Sequence, residues 1–180
     1  KANINMKKII LFLQLIFSIG MSAQTTVESV QVADMDEGAP ICGKSIDLHK
    51  RILQAYNCDS TLIVFACDTT KKGKNTDTGY LYSLDANTLE VQWQKSLKLS
   101  LSKLYGVCSK GVLLSSTLKS TGKSLLTLSD TKTGRSLWTQ YLYPVYFNDS
   151  LDIVVGLEKG GDCKTYAYRL STGMLLWDAE

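Results

Sequence analysis

The feature that most constrains this sequence is a motif that recurs three times and reaches a tryptophan each time. Each copy contains a short apolar run, a second run that combines apolar and polar residues, and a turn that leads to the tryptophan. The tryptophans stand 45 and 39 residues apart, a repeat length typical of folds built from one small β-sheet per repeat. The three copies reach Trp93, Trp138 and Trp177.

The residues between the tryptophans predict strands. The runs at 62–66, 112–114 and 153–155 are short, apolar and rich in branched side chains, as strands near the centre of a sheet are. The runs at 80–84 and 166–170 alternate as half-buried strands do. Several short strands in each repeat of about 40 residues favour one four-stranded sheet per repeat.

The residues between these strands predict tight turns. Gly134 and Gly173 each follow a threonine and can take the positive φ that such turns need. Asp85 and Asp130 recur at one position of the repeat, where a carboxylate can accept hydrogen bonds from backbone N–H groups.

We therefore predict an all-β fold, a β-propeller of four-stranded antiparallel blades with about three blades present and the ring incomplete. Each repeat is expected to end at its tryptophan, which closes the last strand of the blade. The blades are predicted at about 44–93, 94–138 and 139–180, after a lead-in segment at 24–43. The tryptophan rings are expected to wedge between neighbouring blades. The alternative role for three such rings is a sugar-binding ladder.

The motif resembles the repeat of pyrroloquinoline-quinone-type propellers, most closely in the run from Gly79 to Trp93, where Leu89 replaces the usual glycine. This resemblance implies seven or eight blades, so the sequence is expected to be a truncated part of a ring. It also raises the alternative of a quinone-dependent oxidoreductase. Quinone-dependent enzymes of that family carry adjacent cysteines and a Glu/Asn/Asp calcium set, and no matching residues can be placed in this sequence. No catalytic residue, cofactor or metal ligand is carried over.

The N-terminal residues predict export. Lys7 and Lys8 follow Met6, an apolar stretch runs from Ile9 to Ile19, and small residues precede Gln24. This pattern predicts a signal peptide within residues 1–23, with residues 1–5 upstream of the start, rather than a membrane span, which needs about 20 apolar residues. Removing residues 1–23 leaves 17 basic and 17 acidic residues, so the charge of +3 gives no support for nucleic-acid binding.

One motif predicts different chemistry. Gly38, Gly43, Lys44 and Ser45 satisfy the phosphate-loop pattern G-x-x-x-x-G-K-S, and 46–56 could supply the helix that such a loop requires. Three carboxylates just before Gly38 would repel a phosphate, however. Residues 44–48 also align with 95–99 of the repeat. The nucleotide-binding function therefore stays a minor alternative.

Other polar residues form no recognisable catalytic set. The single histidine, His49, has no second ligand at metal-binding spacing. The cysteines at 42, 58, 67, 108 and 163 contain no C-x-x-C pair and are expected to be buried thiols. The sequence thus favours an exported, non-catalytic propeller of the outer-membrane-assembly type. It would bind a protein partner or act as a scaffold, without stable membrane insertion after signal cleavage.

Overall fold

The computed structural model describes residues 15–17, 23–25, 27–33, 41–158 and 164–179. Within these ranges the regular secondary structure consists of β-strands and includes no helix. The N-terminal strands form two small antiparallel sheets, each of two strands. These are β1 (Leu15–Phe17) with β2 (Ala23–Thr25), and β3 (Glu28–Ala33) with β4 (Ile41–Ser45).

The remaining strands form three four-stranded antiparallel sheets in which strands adjacent in sequence are adjacent in space. Sheet 1 contains β5 (Arg51–Cys58), β6 (Thr61–Thr69), β7 (Asn75–Asp85) and β8 (Val91–Lys98). Sheet 2 contains β9 (Ser102–Cys108), β10 (Gly111–Thr117), β11 (Ser124–Ser129) and β12 (Ser136–Gln140). Sheet 3 contains β13 (Tyr143–Asn148), β14 (Ile153–Leu157), β15 (Thr165–Arg169) and β16 (Leu175–Ala179).

The second strand of each sheet is apolar because neighbouring layers cover both of its faces. In β6, Ile63 and Phe65 pack toward sheet 2, whereas Val64 and Ala66 pack toward the N-terminal segment. Alternation of side chains places successive residues on opposite faces, so a strand buried on both faces must be apolar at nearly every position.

The sheets are held together by apolar layers between them. Leu104, Val112 and Leu114 of sheet 2 pack against sheet 1. On its other side, sheet 2 meets sheet 3 through a cluster that includes Leu113 and Val154. Each fully buried aliphatic side chain of this kind contributes about 1.5–3 kcal/mol.

The third and fourth strands of every sheet are paired with a bulge at the same place. The register shifts between Ser83 and Leu84, between Leu128 and Ser129, and between Ala167 and Tyr168. One extra residue at such a point bends the strand and increases its local twist.

The predicted fold class is confirmed for the part of the chain that the structure describes: three of its sheets are four-stranded and antiparallel, and they form a β-propeller whose ring is not closed. The tryptophans lie inside the fourth strands instead of ending them, since β8 continues past Trp93 to Lys98. At the N-terminal boundary, Ile46 and Leu48 pack on sheet 1 directly after β4. The described residues contain no helix long and apolar enough to cross a bilayer.

Candidate functional site

Trp93 connects sheet 1 to sheet 2. Its indole Nε1 donates a hydrogen bond of 2.8 Å to the carbonyl oxygen of Thr131, which also accepts a 2.7 Å bond from Ser83 Oγ. The indole ring lies against Gly134, where an added Cβ would come within 2.8 Å of Trp93 Cδ2. The turn between β11 and β12 therefore rests directly on the ring, and this contact leaves no space for a side chain.

Trp138 connects sheet 2 to sheet 3 in the same way. Its Nε1 donates a 2.8 Å hydrogen bond to the carbonyl oxygen of Leu170, and a Cβ at Gly173 would lie 2.7 Å from Trp138 Cγ. The ring is only 9% exposed. Both tryptophans thus lie between neighbouring sheets.

The third tryptophan of the series is in a different environment. Trp177 is 45% exposed, and the other residues of β16 are also exposed. Its cross-strand neighbour is Ala167, whereas Trp93 is opposite Ser83 and Trp138 is opposite Leu128.

The repeated aspartates hold the turns that precede the fourth strands of sheets 1 and 2. Asp85 Oδ1 accepts 2.8 Å hydrogen bonds from the backbone N–H groups of Asn87 and Thr88, and these bonds lower the pKa of the Asp85 carboxyl. Asp130 Oδ1 accepts 2.7 Å bonds from the hydroxyl and N–H of Thr133, which lower the pKa of Asp130.

All three turns place a residue in the left-handed region. Gly134 and Gly173 have φ of 68° and 69°, and Leu89 has φ of 62° at the corresponding place in sheet 1. Glycine takes this conformation without the steric cost that a Cβ imposes, so Leu89 carries strain that the two glycines avoid.

The residues of the phosphate-loop motif lie in a strand. Gly43, Lys44 and Ser45 belong to β4 and pair with Val30, Ser29 and Glu28. Gly38 lies outside the described residues. The stretch predicted as the following helix instead runs into β5, and Lys44 Nζ donates a 2.7 Å hydrogen bond to the carbonyl oxygen of Asn87. A phosphate loop needs a helix N-terminus to present its N–H groups, whereas residues 43–45 lie in a strand, so the geometry gives this alternative no support.

A groove of about 290 Å³ lies where the turns after the first strands meet. Cys58 Sγ donates a 3.3 Å hydrogen bond to the carbonyl oxygen of Cys108, which links the turn of sheet 1 to that of sheet 2. Asp149 of sheet 3 accepts bonds of 2.7 and 2.8 Å from the N–H and hydroxyl of Ser109. The groove is lined by Tyr56, Asn57, Cys58, Asp59, Val107, Cys108, Ser109 and Asp149.

The two thiols in the groove are poor nucleophiles. Burial raises the pKa of Cys58, and the neighbouring carboxylates of Asp59 and Asp149 raise it further. Burial also raises the pKa of Cys108, whose Sγ donates to the carbonyl oxygen of Gly111 at 3.3 Å. Since the thiolate is the reactive form, a raised pKa lowers the reactivity of both groups. Cys67 is a buried free thiol, and Cys42 and Cys163 fall outside the described side chains.

Two of the first strands that lead to this groove, β5 and β13, expose apolar side chains, and we call β5, β9 and β13 together the first-strand surface. Val145 and Tyr146 of β13 are 57% and 50% exposed, and Ile52 of β5 is 47% exposed. Sequence reasoning missed the groove and this surface, because their residues come from three separate repeats.

Other candidates from the sequence take structural or exposed positions. His49 lies at the surface, with Nδ1 3.0 Å from Asp47 Oδ2. Among the residues whose side chains are described, no group of three or more His, Cys, Asp or Glu could hold a metal ion.

One polar cluster was not expected from the sequence. Lys50 Nζ lies 2.5 Å from Asp68 Oδ1, and Tyr80 donates a 2.9 Å hydrogen bond to Asp68 Oδ2. The hydrogen bond from Lys50 lowers the pKa of Asp68. These residues connect the segment before β5 to β6 and β7, and their separation in sequence leaves no local signal.

The fold is similar to solved β-propeller proteins. No protein-family model matches the sequence, and no curated protein matches it significantly. The β-propeller domain of the Trilobed protease from Pyrococcus furiosus, described as having an open velcro topology, aligns with a TM-score of 0.45 and 5% identity over 72% of this chain. BamB from Moraxella catarrhalis aligns with a TM-score of 0.31 and 16% identity over 70% of this chain. The alignments cover 42% and 50% of those chains, so this chain spans half or less of either.

Proposed function

We propose that the chain is part of an exported, non-catalytic propeller that binds a protein partner through its first-strand surface. The observation that supports this most directly is the exposure of Ile52, Val145 and Tyr146 on strands that border the groove. Apolar and aromatic side chains grouped at a surface mark sites of protein interaction more often than scattered ones do.

The groove adds polar specificity to this surface. Asp59 is exposed at its rim, and Asp149 is held in place by two hydrogen bonds from Ser109. Carboxylates in turns after strands that expose apolar side chains suit a partner segment that combines basic and apolar residues, because complementary charge at the rim of an interface favours encounter and register.

The chemistry of the groove suits binding better than catalysis. Burial raises the pKa of both thiols, and the single histidine of the sequence lies in the segment before β5, next to Asp47. A nucleophilic mechanism would need an activating base within hydrogen-bond reach of a thiol.

A photo-crosslinking experiment tests the proposed interaction. A photoreactive amino acid replaces Val145 in cells that express the protein, and a control replaces Lys132, which is exposed in the turn before β12. We expect a discrete adduct from position 145 and none from position 132. With the photoreactive residue at position 146 instead, we also expect an adduct. The substitution Val145→Asp in that protein should abolish it, since it places a charge in the apolar surface. Equal adducts at 145 and 132, or none at either, would contradict the proposal.

Export is tested separately. We expect the N-terminus of the mature protein to be Gln24, because the signal pattern ends just before it. Edman sequencing or intact-mass measurement of protein from the exported fraction would show this. Protein that remains in the cytoplasm with residues 6–23 attached would contradict the prediction. Dye reduction by purified protein with an alcohol and pyrroloquinoline quinone would favour the oxidoreductase alternative instead.

A further inference from the structure

The groove holds two thiols at equivalent places in neighbouring sheets. Cys58 ends β5 and Cys108 ends β9, and each precedes a two-residue turn to the second strand of its sheet. Cys58 Sγ lies 3.3 Å from the carbonyl oxygen of Cys108. The Cys108 thiol is joined to that carbonyl only through its own Cα and Cβ, so both sulfurs lie in one small region of the groove.

The next junction shows how the turns after the first strands can be linked. Between sheets 2 and 3, Asp149 accepts two hydrogen bonds from Ser109. Between sheets 1 and 2, the turns are linked through Cys58 Sγ, and a thiol is a weak hydrogen-bond donor. A covalent bond between the two sulfurs would therefore strengthen the weaker of the two links.

The two thiols differ in their access to solvent. Cys58 is half-buried at the groove, whereas Cys108 is 6% exposed and donates a 3.3 Å hydrogen bond to the carbonyl oxygen of Gly111. Both thiols give up only weak sulfur hydrogen bonds when they turn toward each other. Burial raises the pKa of both thiols, and a pair whose thiolates are not stabilised holds its disulfide more firmly than an acidic pair does.

We propose that Cys58 and Cys108 form a reversible disulfide that joins sheet 1 to sheet 2 across the groove. The oxidant is a low-molecular-weight disulfide such as oxidised glutathione. The reaction requires no protein partner, so it can be tested on the purified chain, and its failure would leave the proposed function untouched.

The bond forms by two thiol–disulfide exchange steps. The more accessible thiol, Cys58, loses its proton to solvent and attacks one sulfur of the oxidant, whose S–S bond breaks and releases one thiolate. Cys108 then loses its proton and attacks Cys58 Sγ, which releases the second thiolate. The two protons neutralise the two thiolates, so two protein thiols are oxidised while one small disulfide is reduced to two thiols.

The test maps the cysteines of the full, unmodified chain. The reduced protein is incubated with oxidised glutathione over hours, remaining thiols are alkylated in denaturant, and the peptides are analysed by mass spectrometry. We expect a peptide pair joined through Cys58 and Cys108, which dithiothreitol separates. Cys67 is the internal control and should be alkylated, because it is fully buried and does not line the groove.

The disulfide should also raise the urea midpoint of the oxidised chain above that of the reduced chain. The two cysteines are 50 residues apart, and a bond that closes so long a loop lowers the entropy of the unfolded chain. A lower midpoint after oxidation would show that the folded sheets do not accommodate the bond, and it would overturn the proposal.

Two single variants test the order of the steps. In Cys108→Ser, Cys58 should remain in a mixed disulfide with glutathione, because the thiol that displaces glutathione is missing. In Cys58→Ser, glutathione should attach to Cys108 about tenfold more slowly or less, because Cys108 is buried.

Mapping of the unmodified chain decides the matter even where a variant fails to fold. The proposal is overturned if Cys58 keeps glutathione while Cys108 is still a thiol, or if both remain thiols after oxidation. It is also overturned if either of them pairs instead with the cysteine at 42, 67 or 163.

Discussion

At the scale of single residues, the contact between an indole ring and a glycine determines how closely two sheets approach. Trp93 reaches Gly134 with its ring carbons and Thr131 with its N–H, so one side chain makes both the packing and the polar contact. Because the turn backbone lies on the ring, the glycine serves two purposes: it permits a φ of 68° and it leaves room for the ring.

Gly134→Ala should destabilise the fold by about 2–4 kcal/mol, which combines the left-handed strain of alanine with overpacking against Trp93. The matched control is Gly122→Ala. Gly122 has φ of 67° but no atom within 4 Å of the added Cβ, so its cost should be about 1–2 kcal/mol from strain alone. Urea denaturation of both variants measures the difference, and equal losses would show that the ring contact contributes nothing.

The turn aspartates predict a loss of stability in acid. Hydrogen bonds to Asp85 and Asp130 lower their pKa in the folded protein, so their contribution is present above the unfolded pKa of about 3.9. It is lost as the pH falls through the folded pKa values. The urea midpoint should therefore fall between pH 5 and pH 3.

The double variant Asp85→Asn with Asp130→Asn should show a smaller fall in the urea midpoint over the same pH range. Asp59→Asn is the control, since it removes a carboxylate from an exposed position at the groove. A fall as steep as that of the unmodified protein in the double variant would contradict this account.

At the scale of strands and turns, the sequence predicted most of the three repeated sheets. The apolar runs became β6, β10 and β14, because strands covered on both faces need apolar residues at nearly every position. The end of a strand is harder to predict. Trp93 was expected to end its strand, yet backbone pairing continues to Lys98. The sequence did not show this end, because polar residues in an exposed edge strand give no local signal of where the pairing stops.

The groove could not be predicted from the sequence, because its contacts join residues far apart in the chain. Cys58 and Cys108 are 50 residues apart, and Ser109 and Asp149 are 40 residues apart. Periodicity shows which face of a strand is buried but not which turns of different sheets will meet.

The strand geometry of the phosphate-loop motif predicts no nucleotide binding through Lys44. Its ammonium group is committed to the carbonyl oxygen of Asn87, so Lys44→Ala should change stability by less than about 1 kcal/mol. Titration of the protein with Mg·ATP should show no saturable binding before or after the substitution. Saturable binding that disappears with Lys44→Ala would contradict the strand assignment of residues 43–45.

At the scale of the whole molecule, the described sheets form a series in which each packs on its neighbours. One apolar cluster joins sheet 1 to sheet 2, and a separate one joins sheet 2 to sheet 3. The stability of such a stack depends on nearest-neighbour interfaces. A substitution that weakens one junction should therefore destabilise mainly the sheet that this junction joins to the rest of the stack.

Trp138→Ala should separate the behaviour of sheet 3 from that of sheet 1. Truncating this buried ring is expected to cost about 3–5 kcal/mol, and hydrogen exchange should show faster opening of β13–β16 than of β5–β8. Trp177→Ala is the matched control and should cost less than about 1 kcal/mol, because the ring is 45% exposed. Equal loss of protection in all three sheets would show that the stack unfolds as one cooperative unit.

The bulges beside the fourth strands also affect how separate molecules meet. An edge strand that is flat and regular offers its free N–H and C=O groups to the next molecule, and ribbons can then grow sideways without limit. In β8, β12 and β16 the register breaks at one place, so the strand twists before such a ladder can lengthen. The irregularity that repeats in all three sheets thus disfavours fibril growth from their outer edges, even in concentrated solution.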